Sequence, residues 1–439
     1  MNGSELRRHG PTAGDAATRV HADRVTAELA AQRDRWRHGF TRRRVLAGVG
    51  AVGVASLAAQ LTTTRVAFGD PTTTRRTLVV VFLRGGMDGL SVVVPAGDPY
   101  LPKARPTIGV PAGALLAGDD RFGLHPAMAP LHPYWKAGTM AAVHAVASPD
   151  ASRSHFQAQD CLERGAASVA VHTGWLDRLL TALGPGTTFR AIAEGAALPR
   201  SLVGSESALV LEGIRDFALQ GWDGVRERTM TALTALYTGL DHPLADQARV
   251  TVQALSAARR VASEAYAPAV SYPDGGFAGS LSDVARLIKA GVGLRVAALD
   301  VGGWDMHTWI GRVDGGDMLN QLNQLAGALA AFAADLGPAL VDVTVVTMSE
   351  FGRRVAENGN AGADHGHGGL MLLLGGGLNG GAVHGRWPGL APSALDQGDV
   401  AGANDYRDVL AELLARRLGV VDSAKIFPGH RPKSLGVFR

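Results

Sequence analysis

Short runs of uninterrupted apolar residues punctuate this chain, and each borders a glycine-rich polar stretch. Thr77–Leu83 (TLVVVFL), Met140–Ala147, residues 294–300, Val343–Met348 and residues 369–374 are six to eight residues long. Runs of that length, apolar at both odd and even positions, predict strands buried on both faces, as in a parallel sheet. Between them the period changes. Met318, Leu322, Leu325, Leu329, Phe332 and Leu336 recur at steps of three and four, which predicts an amphipathic helix over residues 318–336 lying on the sheet. Residues 154–165 predict a helix closed by Gly165, and residues 404–418 a final helix. Residues 222–290 read as helix-rich and carry few chemically distinctive residues. Alternating strands and helices predict an α/β fold: a mostly parallel, doubly wound sheet with helices on both faces. Residues 70–439 are expected to form one such domain, with residues 222–290 as a helical insertion.

Charge changes the picture at the N-terminus. Residues 1–69 hold eleven arginines against five acidic residues, which leaves 32 basic and 35 acidic residues for the body. The sequence pI near 9.2 therefore belongs to the first segment, and the mildly acidic body gives no electrostatic footprint for nucleic acid. Thr41-Arg42-Arg43-Arg44-Val45-Leu46 has the form of a twin-arginine export signal. The uncharged residues 45–61 behind it suit a signal core and are short for a membrane span. Residues 1–69 are expected to be disordered and cleaved, near residues 58–59 or 66–69. The mature chain is expected in the periplasm, cell envelope or medium, with no later stretch apolar enough to span a membrane. The single cysteine, Cys161, excludes an intrachain disulfide and a thiolate-rich zinc site. Its position inside the helix of residues 154–165 makes it a packing residue. Gly375–Gly380 matches a dinucleotide glycine pattern but opens no helix, so it reads as a turn.

The chemistry-bearing residues gather beside the predicted strands. Asp305 and His307 follow residues 294–300, and Gly302 and Gly303 let the chain turn off the strand. Residues two apart in an extended segment face one side, so both can address one ion. Glu350 follows Val343–Met348; its plain alternative is an ion pair with Arg353 or Arg354. Asp364, His365 and His367 crowd into four positions just before residues 369–374. Asp88 lies in a loop with Gly85, Gly86 and Gly89. Carboxylates with imidazoles suit a divalent cation such as Zn, Mn, Ca or Mg. Ser152 or Ser154 would cap the helix of residues 154–165, and a hydroxyl there beside Arg153 and His155 suits an anion at the helix N-terminus. Either serine could act as nucleophile if a metal or base lowered its pKa. Ser91, which begins a predicted strand, is a weaker candidate, and His384 a possible extra ligand.

LRGGMDGLS (83–91), LHPAMAPLHPYWKAG (124–138), SRSHFQAQDCLERG (152–165), GGWDMH (302–307), SEFG (349–352), DHGHGG (364–369) and NDYRDVL (404–410) together resemble the domain of unknown function 1501 family. Its members are mostly twin-arginine-exported bacterial proteins, placed near the alkaline phosphatase and sulfatase superfamily. The resemblance implies an alkaline phosphatase-like sheet, two divalent metals and a nucleophile at a helix N-terminus, where Ser152 or Ser154 stands. Asp305 and His307 look like the Asp and His of one metal. For the later ligands two registers compete. In one, Asp364-His365 matches an Asp-His-Gly motif with His384 as the later histidine. In the other, which the adjoining strand favours, residues 349–352 occupy that strand end, Phe351 replaces a ligand, and Asp364, His365 and His367 supply those missing. Asp88 is displaced from the position of the first carboxylate.

The resulting expectation is an exported, metal-dependent hydrolase of a phosphate- or sulfate-type ester. Asp88, Asp305, His307, Glu350, Asp364, His365 and His367 would be ligands, and Ser154, Ser152, Arg153 and His155 would handle a small anionic substrate. The alternative is a catalytically degenerate binding or assembly protein on the same fold, with a partner in the cell envelope.

Overall fold

The computed structural model describes residues 76–167, 170–214, 223–239, 243–263 and 266–439. The twin-arginine segment and both cleavage regions lie outside the described residues. Nine strands form the main sheet: β1 (Thr77–Leu83), β2 (Met140–Ala147), β3 (Ala191–Glu194), β4 (Leu209–Leu211), β5 (Val296–Val301), β6 (Val343–Met348), β7 (Gly369–Gly375), β8 (Val383–His384) and β9 (Asn404–Asp405). Their order is β8-β2-β7-β6-β1-β5-β3-β4, and β9 pairs with β2. Every pairing is parallel except those of β7, which is antiparallel to both β6 and β2. The fold is α/β with a mostly parallel sheet.

The apolar runs become central strands because both faces are covered. Leu78, Val80 and Phe82 of β1 join Val143, Val346 and Met371 in a core with Leu162 of α1 (His155–Arg164), Leu176 and Leu179 of α2 (Trp175–Leu183), and Val409, Leu410 and Leu413 of α5 (Tyr406–Leu418). On the sheet, α3 (Gly276–Lys289) packs against β5 and against α4 (Asp317–Leu336). α4 buries Leu322, Leu325, Leu329 and Phe332, the stripe read from the sequence. Among the described residues one helix, Asp317–Asp342, is long and apolar enough to cross a membrane by length and composition, and 56% of its apolar window is buried inside the protein. The expectation that no later stretch reaches that length is corrected here: alanines between the leucines extend the apolar run, and core packing takes it up.

Two compact units make up the chain. The larger, Ala67–Asp216 with Val261–Arg439, contains the sheet; the smaller includes Phe217–Arg260. To the smaller belong Asp223–Tyr237 and most of Pro243–Ser263, both helical. Ser91 does not begin a strand: it lies in a helical turn, Gly89–Val92. The two short strands β3 and β4 had no counterpart in the sequence reading.

Register decides where the chemistry sits. Phe82 pairs with both Asp300 and Met348, and Leu83 with Val301, so β1, β5 and β6 end level and the loops after them leave from one edge. Because β7 runs the other way, its first residue, Gly369, lies beside Val146 near the end of β2. The segment 364–368 therefore enters at the edge from which residues 148–154 leave.

Candidate metal centre

Five segments meet at that edge, and glycine permits the closest approach. Gly85, at φ +126°, lies against the next loop so tightly that a Cβ would stand 2.3 Å from the Asp305 nitrogen. Ser349 joins two loops: its hydroxyl donates to the Leu83 carbonyl at 2.7 Å and accepts from the Met87 N–H at 2.8 Å. Three imidazoles and one carboxylate converge between the loops. His155 Nε2 lies 3.0 Å from His365 Nε2, and His307 Nε2 lies 2.9 Å from the same atom. Asp305 Oδ2 is 3.5 Å from His155 Nε2, and Asp305 Oδ1 is 3.1 Å from His307 Nε2. His155, Asp305 and His365 each offer one ligand atom within 4.8 Å of the others.

What lies behind each ring fixes its tautomer. His365 Nδ1 faces the Arg153 carbonyl at 3.0 Å, which can only accept, so Nδ1 carries the proton and Nε2 a lone pair. His155 Nδ1 faces Glu350 Oε1 at 2.7 Å, and His307 Nδ1 faces Asp364 Oδ1 at 2.9 Å. Glu350 is itself gripped by the Gly85 N–H and by Gln159 Nε2, both at 2.9 Å. Asn358 Nδ2 steadies Asp364 at 3.1 Å. Three Nε2 atoms thus crowd together; among the described residues Arg353 Nη1 donates to that of His307 at 3.3 Å, and those of His155 and His365 face no N–H or O–H donor. Lone pairs so placed repel, and a cation beside them reconciles them.

Electrostatics agree with a cation site. Burial alone would raise Asp305, but the hydrogen bond and charge of Arg353 outweigh it and hold the carboxylate below its ordinary range. Hydrogen bonds from Asn358 and His307 hold Asp364 low. Burial pushes His365 below the usual imidazole value, favouring its neutral, ligating form. The buried ring of Phe351 backs two of the imidazoles, with centroids 4.9 Å from His155 and 4.7 Å from His365. Charge, tautomer and donor types all fit a divalent ion held by His155, Asp305 and His365.

Of the residues singled out in the sequence, Asp305, His307, His365 and His155 supply the converging atoms. Glu350 and Asp364 face the back nitrogens of imidazoles. Asp88 is elsewhere: its buried carboxylate is taken by Arg105, at 2.9 Å through Oδ1, and by Ser91 Oγ at 2.5 Å. His367 also lies apart, its Nε2 3.4 Å from the Ser148 carbonyl and its Nδ1 3.4 Å from Asp396. His384 Nε2 meets the Asn379 carbonyl at 2.6 Å. The guanidinium of Arg153 pairs with buried Asp399, with Nε 2.9 Å from Oδ2, so Arg153 serves the cluster through its carbonyl alone. Ser152 donates to Asp150 at 2.7 Å. Ser154 is the N-cap of α1, and its hydroxyl makes no capping bond. Cys161 is buried, within hydrogen-bonding reach of the Ala166 carbonyl at 3.4 Å.

The sequence pattern of the family described as "Protein of unknown function (DUF1501)" matches residues 75–426. The chain belongs to that family. All of the converging residues fall inside the match. No curated protein matches the chain in sequence. Among solved structures it is similar to the zinc complex of the C-terminal periplasmic domain of EcEptC from Escherichia coli, at 11% identity over 71% of this chain and 76% of that one, with TM-score 0.32. It is also similar to the alkaline phosphatase of the Antarctic bacterium TAB5, at 10% identity over 70% and 93%, with TM-score 0.27. BT1596, a 2-O GAG sulfatase, is similar at 10% identity over 69% and 65%, with TM-score 0.25. At that level of likeness no chemistry passes from them to this chain.

Two features of the DUF1501 centre escaped the sequence reading. Sequence spacing offers Arg353 as a partner of Glu350, yet it bonds Asp305 at 2.6 Å. Gln159, one helical turn after His155, bonds Glu350; its i+4 spacing is the signal in the sequence.

Proposed function

We propose that this protein is an exported, metal-dependent hydrolase of a phosphate- or sulfate-type ester. The carrying observation is the trio of Nε2 atoms and the Asp305 carboxylate, with every Nδ1 committed to an acceptor behind it. His155, Asp305 and His365 would hold the ion. When bound, it would supply a Lewis acid that polarises an ester oxygen and lowers the pKa of a hydroxyl or water.

The chain's own residues do the rest. α1 begins at His155, so its first N–H groups and its positive dipole end face the space beside the ligands and suit an anionic ester. Ser154, with its hydroxyl uncommitted at that helix end, is the nucleophile this reading favours; Ser152, engaged with Asp150, is second. Glu350 and the Arg153 carbonyl hold the Nδ1 protons of His155 and His365 and so keep their Nε2 atoms available, while Asp364 orients His307. Phe156 and Trp309, neighbours in sequence of the ligand segments and 88% and 62% exposed, would offer apolar surface to the organic part of the ester. Export rests on the Arg42-Arg43 motif and is tested by cell fractionation of Arg42→Lys/Arg43→Lys, which should retain the protein in the cytoplasm.

Turnover of nitrophenyl phosphate and nitrophenyl sulfate tests the activity, with zinc, manganese, calcium and magnesium supplied in turn. Wild type should hydrolyse one class of ester, and Asp305→Ala and His365→Ala should abolish it. Activity that persists in both variants would refute the proposal.

A second reading has its own observation. Arg353 already brings a positive charge to Asp305, as a binding protein without catalysis would tolerate. In that case metal binds, no ester on a broad panel is turned over, and an envelope partner is recovered instead.

A further inference from the structure

The cluster has two halves, and Asp305 bridges them. Oδ2 faces His155, 3.5 Å away. Oδ1 faces His307 at 3.1 Å, His365 at 3.4 Å and Arg353 Nη2 at 2.6 Å. His365 Nε2 lies between, 3.0 Å from His155 and 2.9 Å from His307. A carboxylate that presents one oxygen to each of two imidazole-lined spaces is the layout of a site for two cations. Here the second space already contains one. The Arg353 side chain is fully buried, and all its donors are used. Nε donates to the Gly86 carbonyl at 2.7 Å, and Nη1 to the Ala363 carbonyl at 3.0 Å and to His307 Nε2 at 3.3 Å. Nη2 donates to the carbonyls of Gly85 and of Trp304, the latter at 3.2 Å, besides Asp305.

We propose that the guanidinium of Arg353 is the permanent second cation of this centre, so that the protein binds a single divalent ion, on the His155–Asp305–His365 side. The inference rests on the metal-centre reading above and goes further by fixing the number of ions and where the ion sits. Three physical points carry it. A guanidinium keeps its charge at any physiological pH, so the second space is never empty of positive charge. Its bonds to three site loops (carbonyls of 85 and 86, of 304, and of 363) lock it in place; a metal would have to displace a buried, saturated group. Its donation to His307 Nε2 satisfies that lone pair, whereas His155 Nε2 and His365 Nε2 have no such donor among the described residues. Arg353 thereby acts as a positioning residue: it aims Asp305 and leaves Oδ2 for the metal.

The test counts ions. Chelator-stripped wild-type protein is titrated with Zn²⁺ by calorimetry, and bound zinc is measured by elemental analysis after desalting. One ion per chain is expected. Two ions per chain would overturn this inference and leave the metal centre standing; no bound ion would overturn both. Arg353→Lys, which keeps the charge but not the planar fork, should still bind one ion and no second. Arg353→Met, which removes it, should bind zinc about tenfold tighter or more, or take up a second ion, because a nearby like charge is gone. A folded Arg353→Met protein, melting like wild type by circular dichroism yet binding one zinc with unchanged affinity, would contradict the proposal. If Arg353→Met does not fold, the wild-type count decides.

Discussion

Each imidazole of the centre gives its Nδ1 to an acceptor behind the ring; His155 and His365 keep Nε2 for the ion, while His307 Nε2 takes a hydrogen bond from Arg353. That division was only partly legible in the sequence. Asp305, His307 and His365 announce themselves because acids and histidines on glycine-rich loops beside buried strands serve few packing purposes. Which carboxylate faces an ion and which faces the back of a ring depends on placements of an ångström or two, and composition carries no such information. Glu350 therefore read as a ligand, although three donors converge on its Oε1. Replacing it by Gln would remove the charge that orients His155; zinc affinity should fall about 10- to 100-fold with little change in melting temperature, as measured by titration calorimetry. Asp88 read as a ligand because its glycines resemble a binding loop. Its true partner, Arg105, lies seventeen positions on, and no local pattern links the two. Asp88→Ala should leave zinc affinity unchanged and cost roughly 3–5 kcal/mol in urea denaturation, because it strands a buried guanidinium.

At the scale of elements, the strands were legible where they are long and central, β1, β2 and β6 to the residue. Apolar runs show burial but not direction. Strand β7 was read like the others, yet it alone runs antiparallel, and that reversal brings 364–368 to the edge where the other loops leave. A motif that precedes its strand can join motifs that follow theirs only if its strand points the other way. The short strands β3 and β4 offered three or four residues each, too few for a periodic signal. β3 ends in Glu194, a buried residue whose Oε1 has no hydrogen-bond partner among the described residues. Burial, and then the charge of Asp283, push this carboxyl up to about 8 from an ordinary 4.5. The unfolded chain ionises above the lower value, the folded one only near the higher. Stability tied to the neutral form is complete below the lower value and is lost as pH rises to the upper. Glu194→Gln removes that loss. Urea midpoints should coincide at about pH 4 and differ at about pH 8, the variant being more stable by an amount on the order of 4 kcal/mol. An equal difference at both pH values would refute the assignment.

The whole larger unit is organised so that one sheet edge gathers loops from five distant stretches of chain, tied across by Ser349, Glu350 and Arg353. Because ligands come from loops far apart in sequence, bound metal should stabilise the assembled fold over the unfolded chain. Saturation at about a thousand times the dissociation constant is worth roughly 4 kcal/mol. Zinc should therefore raise the melting temperature of wild type, chelator should reverse the rise, and His155→Ala with His365→Ala should show neither effect. The most direct test of the account is anomalous diffraction from crystals of the zinc-loaded protein. A single peak is predicted, within about 2.0–2.2 Å of His155 Nε2, His365 Nε2 and an Asp305 carboxylate oxygen. Zinc bound away from these three side chains, or no zinc in a crystal whose loops keep this arrangement, would contradict it.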